Sequence, residues 1–235
     1  MQHARLIPWD KSRSTTKIDT MKKYIIRLFL LTVATCISVD TYSQKSEEES
    51  VKEFAAGKRS KFSSNGEGKS KGLKIHVKYP KSWTSLEGDR PHIVRKFVQP
   101  DNYALAIIYI QKAEKEFTQA EIDEVMTKEG LLSFVPKDGT LISSNPNLKI
   151  DRLKAGCVEY FMTIERVDKK VYMHALSYVV VYKDYILSLQ FSVGDVNGFY
   201  ATNDTKATVD KKYKILYPMF WEMFNNLVID NLWEK

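Results

Sequence analysis

Residues 156 to 193 read GCVEYFMTIERVDKKVYMHALSYVVVYKDYILSLQFSV. Three runs rich in Val, Ile, Tyr and Phe stand here in series: Gly156 to Arg166, Val171 to Tyr182 and Tyr185 to Val193. β-branched and aromatic residues suit a pleated, packed surface. The breaks between the runs are short. Val167-Asp168-Lys169-Lys170 forms the first, and Lys183-Asp184 forms the second. A parallel crossover needs a dozen residues or more, so connections this short make the three strands an antiparallel meander.

Upstream the same logic continues. Leu73, Ile75, Val77 and Tyr79 alternate with Lys74, His76 and Lys78, the signature of a strand with one buried face, and Pro80 ends it. Glu87-Gly88-Asp89-Arg90-Pro91 is a turn, His92 to Val98 a second strand, and Pro100-Asp101-Asn102 a further turn. Tyr103 to Ile110 is apolar almost throughout, as in a central strand covered on both faces. Thr118-Gln119-Ala120-Glu121 is a capping box, with Phe117 and Ile122 placed as a hydrophobic staple. Ile122, Val125 and Met126 give that helix its apolar stripe, and Gly130 is its expected stop. Thr140 to Ser143 and Asn147 to Arg152 read as short strands before the meander. After it, residues 194–208 read as a loop, and Asp210 to Asn226 as an aromatic helix with Tyr213, Leu216, Tyr217, Phe220 and Phe224 at helical spacing. Pro218 inside that stripe predicts a kink or a later start, and Val228-Ile229 reads as an edge strand. The sum is an α+β fold, an antiparallel β-sheet covered by helices.

Gly72-Leu73-Lys74-Ile75 running into Tyr79-Pro80-Lys81-Ser82-Trp83 resembles the opening of PsbP-like domains, where a first strand ends in a Tyr-Pro-x-x-Trp motif. The order that follows, strands, capped helix, meander and aromatic C-terminal helix, is similar too. The resemblance covers residues 72–235 and implies an α-β-α sandwich. PsbP-like proteins include extrinsic subunits of photosystem II and many bacterial envelope proteins, and as a group they look like binding or assembly modules. The matching positions Tyr79, Pro80 and Trp83 look structural.

The N-terminal quarter is of another kind. Met21 to Gln44 reads MKKYIIRLFLLTVATCISVDTYSQ, with Lys22 and Lys23 ahead of an apolar run and small residues Thr41 and Ser43 at the positions a signal peptidase reads. Residues 21–43 are therefore expected to be a signal peptide, cleaved between Ser43 and Gln44, and residues 1–20 an extension from a misplaced start. Such an address is extracytoplasmic, periplasmic or secreted. A second route stays open: Cys36 ends the apolar run, and lipidation there would make a membrane-anchored lipoprotein. Residues 44–72, QKSEEESVKEFAAGKRSKFSSNGEGKSKG, hold few apolar side chains and read as a disordered polar linker, with at most a helical turn or two at Ser50 to Ala56. That leaves residues 73–235 as a single α+β domain.

Charge excludes a class of partner. The net charge is +7 overall, but residues 73–235 carry 22 basic and 21 acidic side chains. A nucleic-acid binder concentrates basic charge on its folded surface, so none is expected as partner. Only Cys157 remains beyond the leader, so no intramolecular disulfide is available to the mature chain. His76, His92 and His174 are widely spaced without a metal-ligand pattern, and no cofactor motif occurs. Cys157 and His174 both fall in the meander and are the residue types of a thiol nucleophile, but no oxyanion-hole signature accompanies them. The turn carrying Asp89, Arg90 and His92 close to Trp83 is the candidate recognition loop, since binding residues concentrate on loops. The reading is a non-catalytic extracytoplasmic binding or assembly module for an envelope protein or a small ligand. The alternatives are a hydrolase-type enzyme assembled from scattered residues and a lipid-anchored structural factor.

Overall fold

A computed structural model describes residues 47–101, 103–165, 170–194 and 203–234. The expected signal peptide at residues 21–43, its expected cleavage point at Ser43/Gln44 and Cys36 lie outside the described residues, as does most of the 167–170 loop.

Seven antiparallel strands form the central sheet in the order β3-β4-β5-β9-β8-β7-β6. They are β3 (Thr84–Glu87), β4 (Ile93–Val98), β5 (Ala104–Lys112), β6 (Gly139–Ile150), β7 (Leu153–Glu165), β8 (Lys170–Tyr182) and β9 (Tyr185–Gly194). The meander is present with its turn at Lys183-Asp184, where Tyr182 faces Tyr185 and Lys183 adopts φ 52°. The two short strands foreseen before it are one edge strand, β6. Its pairing with β7 shifts register between Leu141 and Ser143 and again between Asn145 and Leu148. Pro146 falls in the second shift, and an edge strand tolerates a residue that cannot donate to a ladder.

The two faces of the sheet are covered differently. On one lies α4 (Asn203–Asn225), which starts before the expected Asp210 and runs on through Pro218. Phe191 stacks on Phe220, and Tyr178 on Phe224, at 4.5 and 4.0 Å between ring centroids. On the other lie α2 (Gln119–Val125) and α3 (Lys128–Leu132), whose Val125, Met126 and Leu131 pack with Phe134 on Val158, Tyr160 and Val179. The result is an α-β-α sandwich. The capping box forms as expected: Thr118 accepts from the Glu121 amide, while the Glu121 carboxylate accepts from the Thr118 amide at 2.8 Å.

Gly130 does not stop the capped helix. That helix ends at Val125, and Thr127 caps α3, which contains Gly130. A Cβ at Gly130 would stand 2.2 Å from the Glu124 carbonyl oxygen, so glycine is what lets the second helix turn back so tightly on the first.

The linker reading of 44–72 is corrected over its described part. Glu47–Ala55 is a helix, α1, and Arg59–Ser63 is a strand, β1. β1 pairs with β2 (Ile75–Pro80), and β10 (Val228–Ile229) pairs with the other side of β2. Composition misled because a segment need not build its own core if it can join another. Phe54 is 1 % exposed within the main core. Glu47 receives a hydrogen bond from Lys212 at 2.5 Å, and Arg59 donates to Glu222 at 2.9 Å, so both ends of the segment are tied to α4.

Candidate functional site

The strand β9 carries an unusual pattern. All its residues are buried, yet Ser188, Gln190 and Ser192 alternate with Leu187, Leu189, Phe191 and Val193. The apolar set packs under α4. The polar set therefore lines the opposite face. Across the neighbouring strands, Tyr109 of β5 is opposite Ser188, Ile107 is opposite Gln190, and Ile93 of β4 is opposite Tyr109. Directly opposed side chains on one face lie about 4.5–5.5 Å apart at Cβ. Ile93, Ile107 and Tyr109, with Leu105 against them, form a small apolar cluster of their own among the described residues.

Gln190 donates from Nε2 to the Tyr160 hydroxyl at 3.1 Å. Burial raises the Tyr160 phenol well above its ordinary range, so it stays a neutral hydroxyl. The other end of the Gln190 amide, Oε1, is buried and has no hydrogen-bond partner, and the same is true of Ser188 Oγ. Exchanging the amide's two ends leaves one orphan in either orientation.

The β3–β4 turn closes one end of this face. Lys69 donates to the Gly88 carbonyl and pairs with Glu87 at 3.1 Å. A Cβ on Gly88 would stand 1.9 Å from the Ile93 carbonyl oxygen, so the turn folds tightly onto β4 only with glycine there. Asp89 pairs with Lys96 at 3.3 Å. The His92 ring stacks on Tyr109, 6.0 Å between centroids and 18° between planes. His92 Nε2 and Arg90 Nη1 are both buried and without a hydrogen-bond partner. Burial lowers the His92 pKa, and the positive charges of Arg90 and Lys71 lower it further against the opposing pull of Asp89.

Of the four residues grouped from the sequence, the structure brings Arg90 and His92 to this site and holds Asp89 against Lys96 at its margin. Trp83 is elsewhere. It is 3 % exposed in the main core and donates from Nε1 to Ser50 of α1 at 3.2 Å. The residues that sequence reasoning missed are Tyr109, Ser188 and Gln190. Their signal was the polar alternation within YILSLQFSV, which has meaning only once α4 is known to cover the other face.

A second polar cluster lies beneath α4. His174, 5 % exposed, faces Glu159 through Nε2 at 2.8 Å and Asp210 through Nδ1 at 3.1 Å. Its ring stacks on Tyr213 at 3.6 Å and meets Phe161 edge-on. The hydrogen bond from His174 holds the Glu159 carboxyl below its usual range, opposed by burial. With carboxylates at both nitrogens, the ring bridges β7, β8 and α4 and has no free nitrogen for a substrate. Cys157 is opposite Tyr178, not His174, and burial pushes its thiol up to about 11. The Cys157–His174 pair that a thiol nucleophile needs is not formed. Among the described residues no group of three or more His, Cys, Asp or Glu is placed to hold a metal ion, and no helix is long and apolar enough to cross a membrane.

The chain matches no protein-family model and no curated protein. Among solved structures it is similar to a protein of Bacteroides thetaiotaomicron at 15 % identity, covering 73 % of this chain with a TM-score of 0.39. The chain spans about half of that protein, 48 % of its length. It is also similar to the Saccharomyces cerevisiae Ran-binding protein Mog1p at 8 % identity, covering 73 % of this chain and 95 % of the other, TM-score 0.42. A third is LpqN of Mycobacterium tuberculosis, a protein involved in cell envelope biogenesis, at 12 % identity, with 80 % and 98 % covered and a TM-score of 0.39.

Proposed function

We propose that this chain is a PsbP-like extracytoplasmic binding module that takes a ligand on the β4-β5-β9 face without catalysing a reaction. The leader-like sequence at 21–43 supports the compartment. The Tyr79-Pro80 to Trp83 motif supports the family.

One observation carries the binding reading: Arg90 Nη1 and His92 Nε2 at the β3–β4 turn, and Ser188 Oγ and Gln190 Oε1 on the β9 face, are buried without partners. Leaving a buried polar group unmade costs about 1–3 kcal/mol, more for a charged one. A fold that only had to be stable would replace these side chains with apolar ones. The apolar residues beside them are only 2–4 % exposed, so the set fits a ligand site that opens to admit its guest, where a few placed polar groups orient it. The absence of catalysis is supported by His174, whose nitrogens are both engaged, and by a Cys157 thiol that is protonated at neutral pH.

The test is native mass spectrometry of the full chain incubated with a small-molecule extract of its host's envelope. A retained species is expected on the wild type and not on the Ser188→Ala/Gln190→Leu double variant, which is expected to fold with unchanged or raised stability. Retention on the variant, or no retained species on either, overturns the reading.

A further inference from the structure

The small sheet β1-β2-β10 has a solvent face of its own. Ile75 and Val77 of β2 turn into the main core, so His76 and Lys78, with Lys74 just before the strand, turn outward. Along that face runs an open groove of about 540 Å³, lined by Ser63, Asn65, Lys74, Asp230, Trp233 and Glu234 among others. That size falls within the ~300–1,000 Å³ of small-molecule sites. Trp233 is 52 % exposed, the highest value for a large apolar side chain among the described residues. An exposed indole is ordinarily free to turn, but this one is held. Its Nε1–H donates to both Asp151 carboxylate oxygens at 3.2 Å. Arg152, which takes no part in lining the groove, sets its guanidinium 4.6 Å from the ring centroid. Asp151 and Arg152 are the central residues of the β6–β7 hairpin turn, at φ 50° and 73°. Such a turn favours Asn-Gly or Asp-Gly, so Arg in the second place is strained. Asp151 also accepts from the Ile229 amide at 2.7 Å. The turn thus fastens the C-terminal turn, Asp230–Leu232, and fixes the indole beside the groove. Strain kept at a surface position is a pointer to function. The remaining lining is polar, and its charges are already paired. Lys74 Nζ meets Glu234 at 2.8 Å, and His76 meets Asp230 at 2.7 Å. Ser63 ends β1 and Asn65 follows it, both exposed and without a side-chain hydrogen bond among the described residues.

We propose that this groove binds a neutral saccharide, with one sugar ring stacked on Trp233 and its hydroxyls hydrogen-bonded by Ser63, Asn65 and the Lys74–Glu234 pair. The indole N–H is engaged by Asp151, so the ring offers its π face and apolar surface alone. A ligand here needs an apolar face for the indole and an edge of groups that both donate and accept. A pyranose has that form, with C–H bonds on its faces and hydroxyls round its rim. Lys74 donates, Glu234 accepts, and Ser63 and Asn65 do both, which matches hydroxyls of either sense. Because Lys74 and His76 each already face an acid, the groove has no unpaired charge with which to select an ion. A wall fixed before the ligand arrives loses little freedom on binding, and the hold of Asp151 and Arg152 on Trp233 supplies this. The groove lies on a different sheet from the β4-β5-β9 face, so this inference stands independently of the binding reading above.

The experiment is proton–nitrogen NMR of the full chain titrated with four neutral disaccharides: maltose, cellobiose, lactose and N,N′-diacetylchitobiose. The assigned Trp233 indole N–H and Asn65 side-chain amide signals are expected to shift together and saturably with at least one of them at millimolar concentration. The indole of Trp221, exposed on α4, is expected to stay where it is. This readout needs no variant to fold. Trp233→Ala, followed at the Asn65 amide, is expected to weaken the sugar at least tenfold, and Asn65→Ala, followed at the Trp233 indole, severalfold. The Ser188→Ala/Gln190→Leu variant is expected to keep full sugar affinity, and loss of affinity there overturns the placement. No saturable shift with any of the four, an equal shift at Trp221, or full affinity in Trp233→Ala overturns the site. Glucuronate or glucosamine binding tenfold more tightly than glucose overturns the neutral ligand. Decaproline binding more tightly than every sugar gives the groove to a peptide and overturns the saccharide.

Discussion

Phe54→Ala asks whether the N-terminal segment belongs to the folded unit. Phe54 sits in α1 with 1 % of its surface exposed and packs into the main core. The Arg59 guanidinium lies 4.0 Å from its ring centroid, and Arg59 Nε donates to the Phe54 carbonyl at 2.6 Å. An aromatic side chain buries about 150–250 Å², which at ~25 cal/mol per Å² amounts to roughly 4–6 kcal/mol of transfer free energy. Alanine keeps a little of that, and measured Phe→Ala losses in cores run at about 3–5 kcal/mol. Loss of the cation–π contact adds ~0.5–1 kcal/mol for a partly exposed pair. The expected destabilisation is therefore about 3–5 kcal/mol, a large part of the ~5–15 kcal/mol that a domain has in total. Urea denaturation measures it, and for a chain of this size each kcal/mol corresponds to about 2–4 °C in Tm. A loss below about 0.5 kcal/mol, typical of surface positions, would return residues 47–63 to the status of a tether. A large fall in the urea m value with little change in midpoint would show α1 unfolding separately from the sheet.

Trp83→Ala is expected to cost about 3–5 kcal/mol in the same assay, because the indole is buried and its Nε1 hydrogen bond to Ser50 joins α1 to the core; a loss under about 0.5 kcal/mol would mark it as a surface contact. Cys157 is expected to react slowly with thiol reagents at neutral pH until the protein is denatured, since burial pushes its thiol up to about 11, and fast labelling of the native state would refute this. Glu159→Gln is expected to flatten the acid limb of the stability curve. The folded-state pKa of Glu159 is depressed, first by the His174 hydrogen bond. Its contribution is therefore present above the unfolded carboxyl value, about 4.3, and is lost as pH falls through the lower folded value. Denaturation midpoints measured across pH 2 to 6 check it, and parallel curves for variant and wild type would contradict it.

The meander was legible because its evidence is local. Runs of β-branched and aromatic residues with two- and four-residue breaks leave only hairpins, and the capping box at Thr118 is a four-residue signal complete in itself. What was not legible depends on distant partners. Phe54 and Phe62 look like stray apolar residues in a charged stretch until β1 is paired with β2 and α1 is set beside α4. Gly130 reads as a helix stop until Thr127 is seen to cap a new helix around it. The turn at 87–92 was visible as a loop with charges, and two of its residues reach the site. Trp83 was grouped with them by nearness in sequence, but its indole is buried in the main core against Ser50, away from that face. Period-2 alternation in β9 marks two faces but cannot say which of them the helix takes.

That alternation separates the two tasks of the sheet. A strand buried on both faces is normally a near-continuous apolar run, and β5, with Leu105, Ile107, Ile108 and Ile110, comes close to it. β9 departs from the rule at three positions, all on the face away from α4. On the α4 face the aromatic stacks of Phe191 on Phe220 and Tyr178 on Phe224 fill the interior, and the ionic groups there, His174, Glu159 and Asp210, meet one another. On the opposite face Gln190 reaches Tyr160 with one end of its amide only, and Ser188, Arg90 and His92 keep atoms unpaired. Polar groups that are satisfied help to specify a core, and those left half satisfied only weaken it. The ionic groups under α4 meet the first condition, although the Tyr178 and Tyr213 hydroxyls there are unpaired, and Ser188 and Gln190 of β9 fall short of it on the other side. The α4 face is thus filled by stacked aromatics and paired ionic groups, and the unpaired polar groups of the opposite face are what the proposed binding role would account for.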